Sequence, residues 1–199
     1  MNVVIIKYNA GNIQSVDFAL QRVGIQADIT SDPDKIFKAD KVIFPGVGEA
    51  SSTMKHLNET GLSLVIKELK QPVLGICIGM QLLCSHSEEG DVECLGIFDE
   101  KIKKFQIPTP NPENYKVPQM GWNPIYDLKG DIFDPSLEGQ YVYFVHSYYA
   151  AMGAHTAATT NYIHPYSSAI QKDNFFAAQF HIEKSGLVGE RILKNFLKL

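Results

Sequence analysis

Short apolar runs alternate with longer amphipathic stretches through the first half of the chain. The runs are "NVVII" (2–6), "KVIF" (41–44) and "PVLGI" (72–76). Each is followed by a stretch with helical periodicity: "NIQSVDFALQRVG", then a region that extends to Lys70, then "GMQLLCSH". This alternation is typical of β-α-β units, so it predicts a central, mostly parallel sheet with flanking helices.

The second half of the chain changes to closely spaced strand candidates. They are "YVYFVHSYYA" (141–150), "HTAATT" (155–160), "SSAIQKD" (167–173) and "NFFAAQF" (174–180). Connections this short favour antiparallel pairing, so we expect an antiparallel extension of the sheet. The predicted fold class is therefore α/β with one mixed sheet.

The end of the chain and the region between the two halves complete the pattern. The segment "SGLVGERILKNFLKL" predicts a closing helix with Ser185 as its N-cap. Its buried face is predicted from four apolar residues near helical spacing: Leu187, Ile192, Leu193 and Phe196. Residues 106–124 contain five prolines and little periodicity, which predicts a long loop.

Length and composition limit the class of protein. The 199 residues suit one globular domain over the whole chain, and 45% apolar with 20% charged residues is usual for a soluble protein. A net charge of −4 argues against nucleic-acid or anionic-membrane partners. The sequence has no apolar run of the roughly 18 residues that a membrane span needs, and its start lacks a basic leader. We therefore predict a cytoplasmic protein without membrane or nucleic-acid partners.

The three cysteines do not form a recognisable framework. Cys77, Cys84 and Cys94 are odd in number and lack C-x-x-C spacing, so neither disulfides nor a zinc cluster is predicted. We expect no metal and no cofactor. Cys84 and Cys94 are predicted to be small buried hydrophobic residues.

Cys77 lies in a more distinctive setting. In "GICIG" (75–79) it stands between two glycines where a predicted strand runs into a predicted helix. This is the cysteine counterpart of the nucleophile elbow, a sharp turn that holds its central side chain out of the sheet. A helix N-terminus favours a thiolate, and the amide of Ile78 would face a developing oxyanion. The alternative is a buried cysteine between glycines that let the helix pack on the sheet.

A cysteine nucleophile needs a base, and the base needs an orienting acceptor. His181 follows the apolar strand "NFFAAQF", at the C-terminal edge where parallel-sheet enzymes place their sites. Glu183 lies two residues further on, and in an extended chain both side chains project the same way. The alternative is a surface histidine and a glutamate that begins the last helix. His146 is the next candidate base.

A second anion site is predicted at "FPGVGEASS" (44–52), where a strand runs into a glycine-rich turn and a helix. The turn completes neither G-x-G-x-x-G nor G-x-x-x-x-G-K-[ST], so a nucleotide site is not predicted. The amides of Val47 and Gly48 are instead predicted to supply a second oxyanion donor. As plain structure, the segment is a turn before a helix.

With Cys77, His181 and Glu183 in this order, the sequence resembles the class I glutamine amidotransferases. "GICIGMQLL" looks like their nucleophile motif, and "QFHIEKS" looks like their His-x-Glu motif. The sequence departs from the family at Ile182, where the family usually has a proline that would stiffen the turn. The resemblance implies the flavodoxin-like fold of this family.

Five further segments resemble, within this family, the glutaminase subunits that serve a synthase in histidine biosynthesis, and the resemblance runs from end to end. They are "YNAGNIQSV", "FPGVGEA", "SEE", "VPQMGWN" and "YFVHSYY". The implied substrate is L-glutamine, held by the side chains of Gln81 and Glu89 and by the backbone around Gly48, Ser147 and Tyr148. Otherwise, Gln81 and Glu89 belong to a polar helix face and an exposed acidic loop.

The same resemblance implies a partner, a barrel-shaped synthase subunit to which ammonia travels across the interface. Asn12 and the segment 119–123, with Gln119, Met120 and Trp122, resemble the contact positions. The alternative for Trp122, the only tryptophan, is a core aromatic residue.

Two other functions compete with this one. One is a glutaminase that serves another acceptor, against which the segment "PQMGWN" argues. The other is a catalytically silent binding or regulatory module, which the joint presence of Cys77, His181 and Glu183 disfavours.

Overall fold

The computed structural model of the chain describes residues 1–9, 12–110 and 113–199. The α-helices of these ranges are α1 (Ile13–Arg22), α2 (Pro33–Phe37), α3 (Ala50–Glu59), α4 (Leu62–Glu68), α5 (Ile78–Leu83) and α6 (Gly186–Lys198). The first seven strands are β1 (Val3–Ile6), β2 (Asp28–Thr30), β3 (Lys41–Phe44), β4 (Val73–Ile76), β5 (His86–Ser87), β6 (Val92–Glu93) and β7 (Lys101–Lys104). The remaining strands are β8 (Gln119–Pro124), β9 (Tyr141–His146), β10 (Tyr148–Ala150), β11 (Thr156–Tyr162), β12 (His164–Lys172) and β13 (Phe175–Ala178). Short 3-10 turns cover Pro135–Leu137 and Ile182–Lys184.

The parallel part of the main sheet has the strand order β2-β1-β3-β4-β13, and each neighbouring pair is parallel. The predicted runs "NVVII", "KVIF" and "PVLGI" form β1, β3 and β4, and every residue of these three strands is buried. Strands buried on both faces read as continuous apolar runs, which explains why they were visible in the sequence. The predicted parallel sheet is confirmed.

The sheet continues as a mostly antiparallel extension, as predicted, in which β5 and β7 are parallel to each other. Beyond β13 the order is β12-β10-β7-β5-β6, with β11 beside β12. β12 is antiparallel to β13, β10 and β11. β13 therefore lies at the junction, parallel to β4 on one side and antiparallel to β12 on the other.

A small second sheet corrects two predictions. β8 pairs with β9 in a two-stranded sheet, so residues 119–124 of the predicted loop form a strand. The predicted strand 141–150 is divided at Ser147 between β9 of the small sheet and β10 of the main one.

Helices cover both faces of the main sheet. Val4 and Ile6 of β1 pack with α2, α3, α4 and α5 on one face, whereas Val3 and Ile5 pack with α1 and α6 on the other. Side chains of a strand alternate between the two faces of the sheet, so one apolar run serves two cores.

The closing helix α6 matches the prediction in part. Ile192, Leu193 and Phe196 are buried, but Leu187 is 84% exposed and does not belong to the buried face. Ser185 occupies the predicted N-cap position, but its side chain does not cap the helix, because its oxygen accepts from the amide of Tyr143 at 3.0 Å while its hydroxyl donates to the carbonyl of His181. None of the helices in the described ranges is long and apolar enough to cross a membrane.

Candidate active site

Cys77 occupies a strained turn between β4 and α5. Its φ is 55° and its ψ is −111°, a conformation that residues other than glycine rarely adopt. The amide of Cys77 donates to the carbonyl of Ala178, which ties the turn to the end of β13 at 2.8 Å. Strain of this kind is kept where it serves a site, and here it holds the Cys77 side chain at the C-terminal edge of the sheet.

The flanking glycines are required by close packing. A Cβ at Gly79 would collide with the carbonyl oxygen of Phe44, at the end of β3. A Cβ at Gly75 would lie 2.8 Å from Cδ1 of Leu83 and 3.1 Å from the carbonyl of Gly79. The glycines therefore let α5 approach the sheet closely, as the elbow pattern predicts.

His181 and Glu183 form a buried pair beside this turn. Nδ1 of His181 lies 2.7 Å from Oε1 of Glu183, and both side chains are almost fully buried. The contact arises in the 3-10 turn Ile182–Lys184 rather than in an extended chain, so the predicted pairing holds but its predicted backbone geometry was wrong. Nε2 of His181 has no hydrogen-bond partner among the described residues.

The electrostatics of the pair favour an imidazolium beside a carboxylate. Burial lowers the pKa of His181, but its interactions with Cys77 and Glu183 outweigh burial and raise the pKa above its usual value. Burial raises the pKa of Glu183, but hydrogen bonds from His181 and Asn12 outweigh it and lower the pKa. His181 can thus hold a proton where a leaving group needs one.

His146, the alternative base, is engaged elsewhere. Its Nδ1 lies 2.7 Å from the carbonyl of Tyr148 and its Nε2 lies 3.2 Å from the hydroxyl of Tyr166. Burial, reinforced by the charge of His181, lowers the pKa of His146 to about 4 despite the bond to Tyr148. With both ring nitrogens bonded, it has none left for Cys77.

One cavity of about 320 Å³ brings most of the predicted site residues together. It is lined by Val47, Gly48, Cys77, Ile78, Gln81, Glu89, Ser147, Tyr148 and His181, together with Pro118, Val145 and His146. The volume lies in the usual range of small-molecule sites. Among the residues that the structure describes, no group of His, Cys, Asp and Glu side chains is arranged to hold a metal ion.

The two side chains predicted to hold the substrate, Gln81 and Glu89, both line this cavity. Gln81 is 3% exposed and donates to the carbonyl of Tyr148 at 3.0 Å. Glu89 is half-buried, and its Oε2 accepts from the amide of Ala50 at the start of α3, at 2.9 Å. Burial, with the charge of Glu49, raises the pKa of Glu89 although the Ala50 amide opposes this.

The chain matches the family Glutamine amidotransferase class-I over residues 4–199. The chain belongs to the class I glutamine amidotransferases. It is 60% identical over 199 residues to the imidazole glycerol phosphate synthase subunit HisH of Bacteroides fragilis, and 57% identical to HisH of Bacteroides thetaiotaomicron, covering all of both chains in each case. A solved glutamine amidotransferase structure is similar in fold, with a TM-score of 0.74, 18% identity and coverage of 99% of this chain and 98% of that one.

The turn at 45–48, which is predicted to supply an oxyanion donor, is held at its start. The hydroxyl of Tyr8 donates to the carbonyl of Pro45, and a Cβ at Gly46 would collide with Ile78. Gly48 has a φ of 141°, which other residues rarely adopt. The amide of Ile78 is the first of α5, where N–H groups have no partner within the helix.

The predicted partner contacts of the amidotransferase divide between surface and interior. Met120 and Trp122 are 66% and 53% exposed, so they lie on the outer face of β8. Gln119 is fully buried and bonded to Tyr166 and Asn123, in contrast to its predicted place on the interface. Asn12 is only partly buried, and its amide donates to Oε1 of Glu183.

Sequence reasoning missed two polar residues of the amidotransferase site, Tyr8 and Gln179. Gln179 is fully buried and its Nε2 lies 3.8 Å from the Cys77 sulfur. The available signal was a glutamine inside the otherwise apolar segment "NFFAAQF", because a buried amide costs free energy unless it is hydrogen-bonded.

Proposed function

We propose that this chain is the glutaminase subunit of an imidazole glycerol phosphate synthase in histidine biosynthesis. It acts as one domain over residues 1–199, hydrolyses L-glutamine, and passes ammonia to a barrel-shaped synthase subunit. The observation that carries the proposal is the single cavity shared by Cys77, in its strained turn, and by His181, which is bonded to Glu183. The relatives of 60% and 57% identity support the choice of acceptor.

The reaction follows from these groups. The Cys77 thiolate attacks the side-chain amide carbon of glutamine, and the amides of Ile78 and Val47 or Gly48 stabilise the oxyanion. His181, charged beside Glu183, gives its proton to the departing nitrogen, which leaves as ammonia. A thioester to Cys77 remains. Water, activated by the now neutral His181, attacks this thioester, and glutamate leaves while the thiolate is restored.

The lining of the cavity supports glutamine as the substrate. In this proposal the carboxylate of Glu89 pairs with the substrate ammonium, and Gln81 holds the same end of the molecule. Ser147 and Tyr148 line the same cavity, and in this proposal their backbone contacts glutamine; the carbonyl of Tyr148 already accepts from Gln81 and lies 2.7 Å from Nδ1 of His146. The three free, buried cysteines fit a reducing compartment, and we include the cytoplasm in the proposal.

Replacement of the nucleophile tests the function. In the complex with the synthase subunit, Cys77→Ala should abolish product formation from glutamine but leave product formation from added ammonium salt intact. The matched control is Cys94→Ala, a buried cysteine outside the cavity. Glutamine-dependent turnover that survives in Cys77→Ala would overturn the assignment.

A further inference from the structure

A chain of buried amides connects a backbone carbonyl to the reacting sulfur. Nε2 of Gln81 donates to the carbonyl of Tyr148 at 3.0 Å and to Oε1 of Gln179 at 2.9 Å. Nε2 of Gln179 then donates to Sγ of Cys77 at 3.8 Å. Both glutamines are buried, at 3% and 0% exposure. The reaction described above uses Gln81 and Cys77 but gives no part to Gln179.

The donor and acceptor roles along this series of hydrogen bonds are fixed by the carbonyl of Tyr148 at its start. A backbone carbonyl only accepts hydrogen bonds, so the amide nitrogen of Gln81, not its oxygen, must face Tyr148. The second N–H of the same nitrogen then points at Gln179, which must present its oxygen. The nitrogen of Gln179 is thereby turned towards Cys77, and the sulfur receives an N–H donor.

The same direction determines what Gln81 offers to a ligand. Because its nitrogen is used twice, only its Oε1 remains. Within residues 1–9, 12–110 and 113–199 no hydrogen bond is donated to this oxygen, and Gln81 lines the cavity. Gln81 can therefore accept from a substrate N–H but cannot donate to a substrate oxygen.

We propose that Gln179 is a catalytic residue with two tasks, a proposal that rests on the glutaminase function above. Its N–H group stabilises the Cys77 thiolate, because a hydrogen bond to the charged form of a group favours that form. Its oxygen holds the Gln81 amide so that Oε1 of Gln81 faces the substrate. One side chain thus links the nucleophile to the group that recognises the substrate.

The place of Gln179 in the fold agrees with this assignment. It follows β13 directly, and its neighbours Ala177, Ala178 and Phe180 are all fully buried. Its backbone amide is already paired with the carbonyl of Ser168 at 2.9 Å, so the strand does not need the side chain. A polar side chain here costs free energy, and both ends of its amide go to residues of the site.

The first test measures the Cys77 thiolate without using glutamine. Alkylation of Cys77 by iodoacetamide is followed by mass spectrometry between about pH 5 and pH 10 in the wild-type complex and in Gln179→Met. We expect the midpoint of the profile to rise by roughly one pH unit, or about tenfold slower alkylation below it, because a donor to a charged group is lost. The control is Gln171→Met, whose amide bonds to Asp131 outside the cavity. An unchanged midpoint in Gln179→Met would overturn the first task.

The second test separates the two tasks by kinetics. Gln179→Glu keeps an oxygen for Gln81 but loses the donor to sulfur, so kcat should fall while KM for glutamine stays near the wild-type value. Gln179→Met loses both contacts, so KM should rise as well. Equal KM values for the two variants would overturn the second task, since a merely structural glutamine gives no reason for the difference.

The outcomes distinguish this proposal from the proposed function. If Gln179→Met shifts the alkylation midpoint but the wild-type complex does not hydrolyse glutamine, the proposed function is rejected and the donor to sulfur is kept. An active wild type with unmoved midpoints and KM values would reject the part of Gln179 alone. If Gln179→Met does not fold, Gln179→Leu takes its place in the alkylation test, since it also removes the donor to sulfur without adding a charge, and an unchanged midpoint would again overturn the first task.

Discussion

The charge state of His181 is set by its neighbours. Its raised pKa depends in part on the carboxylate of Glu183, 2.7 Å away, whereas its burial acts in the opposite direction. Removing the negative charge therefore lowers the pKa of His181, and the proton needed by the leaving ammonia is lost at lower pH.

We predict that Glu183→Gln moves the alkaline limb of the kcat profile to lower pH, as measured by glutaminase rates across pH. His181→Ala should cost more than Glu183→Ala at neutral pH, because the group that transfers the proton matters more than the group that orients it. Wild-type rates in His181→Ala would assign the proton transfer to another residue. Equal profiles for wild type and Glu183→Gln would show that the carboxylate does not set the charge of the imidazole.

Glu89 should make KM for glutamine depend on pH on the acidic side, whereas His181 limits kcat on the alkaline side. Its raised pKa means that the carboxylate takes up a proton at higher pH than an exposed glutamate does. As pH falls through this pKa, the proposed attraction between Glu89 and the substrate ammonium is lost. We predict that KM for glutamine rises on acidification, and that Glu89→Gln has a high KM with little pH dependence. Glu88→Gln, at the exposed neighbouring position, is the control and should retain the wild-type profile.

At the scale of elements, the elbow depends on how closely α5 approaches β3. A Cβ at Gly79 would meet the backbone of Phe44, which cannot move aside as a flexible side chain does. We predict that Gly79→Ala destabilises the protein by about 1–3 kcal/mol, as overpacking does, measured by chemical denaturation. Gly61→Ala is the control, since Gly61 has open space around it and only a strained φ of 74°. A smaller loss for Gly79→Ala than for Gly61→Ala would contradict the packing argument.

The turn at 45–48 is the element that we propose changes when the synthase subunit binds. Tyr8 and Ile78 hold its start, whereas Gly48 has space for a Cβ, which would meet only Oγ1 of Thr53 at 3.7 Å. Its φ of 141° is the constraint, so Gly48→Ala should shift the turn away from this conformation.

We predict that Gly48→Ala reduces the stimulation of glutaminase activity by the synthase subunit more than it reduces complex formation. Losing one oxyanion donor costs roughly 10²–10³ in rate, which sets the scale of the effect. A binding titration paired with glutaminase rates at saturating synthase ligand measures both. Full stimulation with normal binding would mean that the turn is already set in the free subunit.

Elements were predictable where burial makes the pattern simple. β1, β3 and β4 are buried on both faces, and their apolar runs stood out in the sequence. β2 and α2 were not predicted, because Asp28–Thr30 is short and has no fully buried residue, and the helix Pro33–Phe37 has only one buried residue, Ile36. β8 was hidden by Pro124 at its end, by Pro118 before it and by its exposed side chains, and its partner in the sheet is β9.

For the molecule as a whole, the topology of the sheet explains why the site could be assembled from the sequence. β4 and β13 are parallel neighbours, with Ile76 opposite Ala178, so the residues that follow them meet at one edge. Cys77 follows β4, and His181 lies three residues beyond β13. The buried place of Gln119 and the exposure of Leu187 could not be predicted in this way, because they depend on which face a neighbouring element covers.

The outer face of β8 carries two large exposed apolar side chains, and we propose that this face contacts the partner subunit. Trp122 is 53% exposed, and its ring packs edge-on against Tyr143 with 5.9 Å between centroids, so the alternative of a core tryptophan is excluded. Met120, two residues earlier on the same strand, is 66% exposed beside it. Large exposed apolar side chains of this kind are typical anchors of protein interfaces.

We predict that Trp122→Ala weakens binding to the synthase subunit by roughly 30-fold, the equivalent of about 2 kcal/mol, as the loss of an interface anchor does. Folding should change by less than about 0.5 kcal/mol, because half of the ring is already in water. Titration calorimetry of the complex and thermal unfolding of the free subunit measure the two effects. The control is Phe37→Ala, an exposed aromatic residue at the end of α2. Phe37 leads into the N-terminal end of β3, whereas Cys77 follows the C-terminal end of β4. A large loss of thermal stability with normal assembly would make Trp122 a support of the β8–β9 sheet instead, and ammonia transfer would then have to be anchored elsewhere on the surface.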